Sequence, residues 1–205
     1  MFNKFLNSLK RPNNLFLIET IQKGYTVFTE ANNLKELEEE AKKFDSAESF
    51  AKSKVNAYHK SSVQFDEFDF SKIGKHDYGY AGRGIYFTET PLKGNSYGKN
   101  TISAYVDFKK PYIRTNENWN ISKLDPYKWI AETSKELQNN KGLDIRDANT
   151  KASNEWTEMM KAKGYDGFID NTEGLDERVA FYPDSIKTSS QLIDIWNKAN
   201  PSKSH

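Results

Sequence analysis

The chain has 205 residues, 36% hydrophobic and 14% aromatic, with 30 Lys and Arg against 29 Asp and Glu, for a formal charge of +1. That length suits one domain with an extension, or at most two small ones, and the charge balance carries no global signature of nucleic-acid binding. The absence of cysteine excludes disulfides, thiolate catalysis and zinc–thiolate sites, and no run of 18 apolar residues is present to span a membrane.

Residues 1–30 read as an N-terminal extension, set off by the turn chemistry of LKRPNN. Phe2, Phe5, Leu6 and Leu9 fall at helical spacing. The apolar piece Leu15 to Ile18 is too short for a signal-peptide core and no small-residue cleavage site follows, so the protein reads as cytoplasmic. Residues 31–200 read as one domain. It opens with a helix capped by Asn32 or Asn33, whose apolar stripe is Leu34, Leu37, Ala41 and Phe44. A shorter helix starts near Ser46 and carries Phe50.

From Val55 the pattern changes. VNAYH reads as a strand, followed by a polar loop that holds Phe65, Phe68 and Phe70. Gly79, Gly82 and Gly84 then precede a short strand, Ile85 to Thr88. In TISAYVDF, Ile102, Ala104, Val106 and Phe108 alternate with more polar residues, the signature of a half-buried strand, and Pro111 is read as its end. Asp125 and Pro126 form an N-cap and N1 pair for a helix with Trp129, Ile130 and Leu137. A further helix holds Trp156, Met159 and Met160 and stops at Gly164. Two short strands, DGFID and ERVAFY, flank the loop NTEGLD. A closing helix, capped by Ser189 or Ser190, contains Leu192, Ile195 and Trp196. Strands do not alternate regularly with helices, so the prediction is a mixed α+β domain rather than a doubly wound parallel sheet.

Three segments carry candidate chemistry: Tyr58-His59-Lys60-Ser61, Gly82 to Thr88 with Tyr97 eleven residues after Tyr86, and Glu177 ahead of an apolar strand. Read one at a time, each has a plain structural meaning: a strand-end His, a core Tyr, an exposed loop Tyr, a solvated strand-edge Glu. The glycines do not form a dinucleotide fingerprint, because a strand and not a helix follows them. Glu173 and Glu177, four apart, invite a glycoside-hydrolysis reading, but no aromatic sugar platform accompanies them. Three scattered His and no Cys give no metal-ligand spacing.

In this order the segments resemble the His-Tyr-Glu ADP-ribosyltransferases, the clade of diphtheria toxin and the poly-ADP-ribose polymerases. The nearest likeness is to the small domains of this kind in bacterial, phage and mobile-element polyvalent proteins. The likeness runs over roughly residues 45–190. It includes Tyr58-His59, Phe65 and Phe68, Gly82 to Thr88, Tyr97-Gly98, Gly164-Tyr165-Asp166-Gly167, Glu177, Pro183 and Ile186-Lys187. The resemblance implies a split mixed β-sheet core with a central NAD⁺ cleft and surrounding helices.

It also implies that His59, Tyr86 and Glu177 are catalytic. NAD⁺, the substrate, would be bound by His59, Lys60, Ser61, Gly84, Tyr86, Phe87 and Tyr97, with no metal. Lys60 stands where the family has Gly, Ser61 where it has Thr, and Gly94 where the polymerases place a Ser, with Ser96 nearby. The implied activity is mono-ADP-ribosyl transfer to a macromolecular acceptor, a protein or a nucleic acid. The implied setting is a toxin of a toxin–antitoxin or antiphage system, with an antitoxin partner, or a phage effector. The loop 171–176 matches the family's target-recognition loop by position. Lys42, Lys43, Lys52, Lys54 and Lys60 are candidates for a basic face. The alternatives are an NAD⁺ glycohydrolase and a non-catalytic module of the same fold that binds NAD⁺ or ADP-ribose.

Overall fold

The computed structural model describes residues 33–74, 77–91, 97–119 and 122–203. The expected extension over residues 1–30, Asn32, His76, Gly94, Ser96 and His205 lie outside the described residues. By its contacts the chain divides into two compact units, one holding residues 33–50 with 194–203 and the other residues 51–193.

In the smaller unit, helix α1 (33–41) buries Leu37 and Ala41, two members of the predicted stripe. Trp196 Nε1 donates to Phe44 O at 3.2 Å, and the Phe44 and Phe50 rings meet edge to face. Helix α2 (Ala47–Lys54) and the final helix α5 (Ser189–Ala199) each begin in one unit and end in the other. The cap of α5 is Thr188, one residue ahead of the expected serines. Gln191 N donates to Thr188 Oγ1 at 3.2 Å while Thr188 N donates to Gln191 Oε1 at 3.0 Å, a reciprocal capping box.

Among the described residues the larger unit has seven short strands: β1 (Ala57–Ser61), β2 (Ile85–Phe87), β3 (Asn100–Val106), β4 (Pro111–Arg114), β5 (Gly167–Asp170), β6 (Glu177–Ala180) and β7 (Ile186–Thr188). They form an antiparallel sheet β1-β3-β7 and a mixed sheet β2-β6-β5-β4, in which only β4 and β5 run parallel. The expected α+β class with a split sheet core is what the chain adopts. β4 and β7 were absent from the sequence reading, and Pro111 opens a strand instead of only closing one. Proline is compatible there because β4 is an edge strand and its first residue need not donate to the ladder.

Helices α3 (Pro126–Lys141) and α4 (Ile145–Ala162) are placed as the apolar spacing suggests. Asp125 Oδ1 accepts from Lys128 N at 3.0 Å and Pro126 takes the first turn, the predicted cap. The two helices bury Ile130, Leu137, Ala152, Trp156 and Met160 in one cluster with Phe168 and Val179 of the mixed sheet. A second cluster joins the two sheets through Ala57, Phe87, Ala104, Val106, Ala180 and Ile186. The mixed sheet therefore has an apolar residue set on each face, as alternation along its strands requires. No helix among the described residues is long and apolar enough to cross a membrane.

Candidate active site

The site lies where the two sheets join. Tyr58 of β1 pairs with Thr88, just past β2, through hydrogen bonds of 2.8 and 3.0 Å. Beyond that pair the strands part, and the His59 imidazole takes over, with Nδ1 donating to Tyr86 O at 2.8 Å. Phe65, Phe68 and Phe87 surround the ring at centroid distances of 6.1, 5.4 and 6.0 Å. The aromatic loop noted in the sequence thus packs around the histidine. Burial holds the His59 pKa below its ordinary value, against the opposing pull of the Tyr86 carbonyl. At neutral pH the ring is neutral, so Nδ1 donating to the carbonyl leaves Nε2 as an acceptor.

Residues 86 and 87 are neighbours on a strand, so their side chains point to opposite faces. Phe87 faces His59, and Tyr86 faces the helix-covered core. The Tyr86 hydroxyl donates to Gly82 O at 2.6 Å and accepts from Ala81 N at 3.0 Å, which pins the glycine-rich loop down. Gly82 has φ +97°, and a Cβ there would stand 2.6 Å from Trp156 Cζ3, so the loop closes on the core only with glycine. The pinned loop presents Tyr80, whose ring lies 5.3 Å from that of Tyr86 and 6.0 Å from that of Tyr127.

Glu177 is the first residue of β6, two positions before Val179, the register partner of Tyr86. The Tyr80 hydroxyl donates to Glu177 Oε1, and the Tyr127 hydroxyl lies 3.4 Å from Oε2. Burial pushes the Glu177 carboxyl up, the Tyr80 hydrogen bond works against this, and the charge of Asp170 adds to it; the net shift is upward. Both tyrosine hydroxyls are in turn pushed well above the ordinary phenol range, by burial first and then by their carboxylate neighbours. They remain donors at any working pH.

The loop ahead of Glu177 is tied on both sides. Asp176 accepts from Glu89 N at 2.8 and 2.9 Å and from Thr90 N at 3.2 Å, while Glu173 N donates to Asn116 Oδ1 at 3.1 Å. Arg178 pairs with Glu89. Below the loop, Asp170 is fully buried and bonded to Thr172, Tyr127 and Arg114. Burial pushes its carboxyl up, but the bonds from Thr172 and Tyr127 and the Arg114 charge hold it below the usual range. A carboxyl lowered in this way stabilises the fold at pH above its unfolded pKa, and that stability is lost as pH falls through its folded pKa. The stability gap between wild type and Asp170→Asn is therefore expected to be widest at neutral pH and to shrink below about pH 4. Urea titrations at stepped pH measure it; a gap that stays constant down to about pH 2 contradicts the assignment.

The remaining candidates are distributed around this centre. Gly84 is buried directly before β2. Lys60 follows His59 on β1, so strand alternation turns its side chain away from the histidine's face. Ser61 Oγ accepts from Val63 N at 3.2 Å. Gly98, at φ +123°, lies so close to the strand that a Cβ would stand 2.1 Å from Ser61 C. Tyr97, the residue before it, is 68% exposed, and the ring beside Tyr86 is Tyr80. Tyr80, Tyr127, Asp170 and Arg114 were missed as site residues. For Tyr80 a signal existed, since it lies inside the same glycine-rich stretch as Tyr86; Tyr127 carries none beyond its place after the Asp125-Pro126 cap. No group of three or more His, Asp or Glu among the described residues is placed to hold a metal.

Two short sheets joined at one strand end, with helices over the mixed sheet, form an α+β fold consistent with the ADP-ribosyltransferase-like class. The family model described as ADP-Ribosyltransferase in polyvalent proteins matches residues 52–192, and the chain belongs to that family. ADP-ribosyltransferase domains use NAD⁺ as substrate, so the match supports ADP-ribosylation as the general chemistry. Neither the curated proteins nor the solved structures contain a match to the chain.

Proposed function

We propose that the protein cleaves NAD⁺ and transfers a single ADP-ribosyl group to a macromolecular acceptor, with His59, Tyr86 and Glu177 as the catalytic constellation. One observation carries the reading. Residues 59, 86 and 177 are linked through short contacts, His59 to the Tyr86 carbonyl at 2.8 Å, the Tyr86 ring to Tyr80 at 5.3 Å, and Tyr80 to the Glu177 carboxylate.

The chemistry needs those groups. As the bond from ribose to nicotinamide breaks, positive charge builds on the ribose, and a fixed carboxylate gains attraction as it does so. Glu177 supplies that charge once ionised. Neutral His59 offers Nε2 as an acceptor for a ribose hydroxyl, and the Tyr86 and Tyr97 rings offer faces for the flat nicotinamide. Lys60, Ser61, Gly84 and Phe87 complete the proposed NAD⁺ contacts. The acceptor is a protein or a nucleic acid, and the loop 171–176, tied down ahead of Glu177, is proposed to meet it. A toxin or phage-effector role in the cytoplasm, with an antitoxin partner, rests on the resemblance alone.

The test is incubation with NAD⁺ labelled on its adenylate, together with separate pools of protein, RNA and DNA. Label appearing in one pool supports transfer and identifies the acceptor class. Nicotinamide release without labelling of any pool replaces the reading with hydrolysis, and no consumption at all replaces it with a binding module. Tyr97→Ala is expected to weaken NAD⁺ binding about two- to tenfold, the loss of one stacked face, with little change in melting temperature because the residue is exposed. Unchanged affinity by calorimetry would remove Tyr97 from the site.

A further inference from the structure

Tyr127, in the first turn of α3, has no part in the chemistry above, yet it is held with unusual care. Its hydroxyl lies 2.8 Å from Asp170 Oδ2 and 3.4 Å from Glu177 Oε2. The Arg114 guanidinium stands 4.6 Å from its ring centroid. Arg114 also bonds Asp170 at 2.9 Å and Asp125 at 2.6 Å, with the three side chains 11%, 0% and 4% exposed. Asp125 in turn caps α3. The helix that carries Tyr127 and the cation that backs its ring are thus fastened to the same carboxylate.

Tyr80 makes the other hold on Glu177, and it is of a different kind. It is 39% exposed and sits on a glycine-rich loop. An incoming ribose hydroxyl can replace the Tyr80 hydroxyl at Oε1 at small cost, one hydrogen bond exchanged for another. Tyr127 cannot withdraw without breaking its 2.8 Å bond to the buried Asp170 carboxylate, a charge-assisted contact that costs more to lose than an exposed one.

We propose that Tyr127, held by Asp170 and Arg114, is a positioning residue that keeps Oε2 of Glu177 fixed while Tyr80 yields Oε1 to the substrate. The proposal rests on the reading of Glu177 as the catalytic carboxylate. Among the described residues, the groups that face Glu177 are Tyr80, Tyr86 and Asp77 from the glycine-rich side, Tyr127 from α3, and Asp170 from β5. The single Tyr127 proton lies between the two carboxylates, closer to Asp170 at 2.8 Å than to Glu177 at 3.4 Å, so Tyr127 is a shared donor to Glu177; its removal favours the protonated form of Glu177 and frees the side chain to turn.

The test is Tyr127→Phe in the full chain, which keeps the ring contacts to Tyr80 and Phe168. Its comparator is Tyr112→Phe, whose hydroxyl bonds Ser122 at 2.7 Å. Two readouts are taken: the rate of NAD⁺ consumption, and the titration of the Glu177 carboxyl by carbon NMR, assigned with Glu177→Gln. For Tyr127→Phe, kcat is expected to fall about 10- to 100-fold, with KM for NAD⁺ changing far less, and the Glu177 midpoint to move up. Tyr112→Phe is expected to change neither. An unmoved midpoint, a raised midpoint with unchanged kcat, or equal losses in both variants would each overturn the proposal. If wild type consumes no NAD⁺ but the midpoint still moves, the Tyr127 contact stands and the catalytic role of Glu177 is what fails.

Discussion

Glu177→Gln is expected to lower NAD⁺ consumption by about 10²- to 10³-fold, the usual scale for removing one preorganised electrostatic contact to a developing charge. The amide keeps the size and hydrogen-bonding reach of the side chain but brings no negative charge to the ribose. Its effect on stability has the opposite sign. Burial raises the Glu177 carboxyl, with Asp170 adding to it, so the ionised form is disfavoured in the folded chain. A group raised in this way contributes stability below its unfolded pKa, and that contribution disappears as pH rises through the folded pKa. At neutral pH the variant is therefore expected to melt no lower than wild type. Activity of the wild type is expected to fall on acidification at a pH above the ordinary glutamate range. A variant that consumes NAD⁺ as fast as wild type, with an unchanged melting curve, would show that Glu177 is not the catalytic carboxylate.

Trp156→Ala is expected to cost about 3–5 kcal/mol of folding stability, the scale for truncating a fully buried large aromatic. That is a large share of the ~5–15 kcal/mol available to a domain. The indole is completely buried, donates from Nε1 to Leu124 O at 3.1 Å, and meets Phe168 and Phe181 edge to face at 6.0 Å each. It also forms the surface on which Gly82 closes, so its loss loosens the loop that presents Tyr80 and anchors the Tyr86 hydroxyl. Chemical denaturation measures the stability change. Trp156→Phe, which retains most of the ring volume and loses the bond to Leu124, is expected to fall between the two. A midpoint for Trp156→Ala close to that of wild type would mean that this cluster does not hold the helices on the mixed sheet.

The elements legible in the sequence are those set by near neighbours. Alternation over Ile102, Ala104 and Val106 marks β3 because a pleated strand turns successive side chains to opposite faces. Asp125 and Pro126 mark the start of α3 because a helix terminus has donors that a local carboxylate can satisfy. β4 and β7 were missed for the complementary reason. They have four and three residues, too few for a period to appear, and each exists only through its partner strand. Phe181 and Tyr182 continue the apolar run of β6 but leave the strand, as Phe181 N turns to Asp166 O at 3.1 Å.

By itself the sequence determined the composition limits, the Asp125-Pro126 helix start, the clearest strand and the order of motifs that resembles the family, because each of these is written in residues close together or in a fixed succession. Only the tertiary structure decided that Tyr80 and Tyr127 meet Glu177, and that Arg114 joins Asp125 to Asp170 beneath them. Tyr80 and Tyr127 lie 97 and 50 positions from Glu177, and Arg114 lies 56 from Asp170. Contacts of that range come from sheet order and helix docking, which bring together residues with no periodicity or spacing in common.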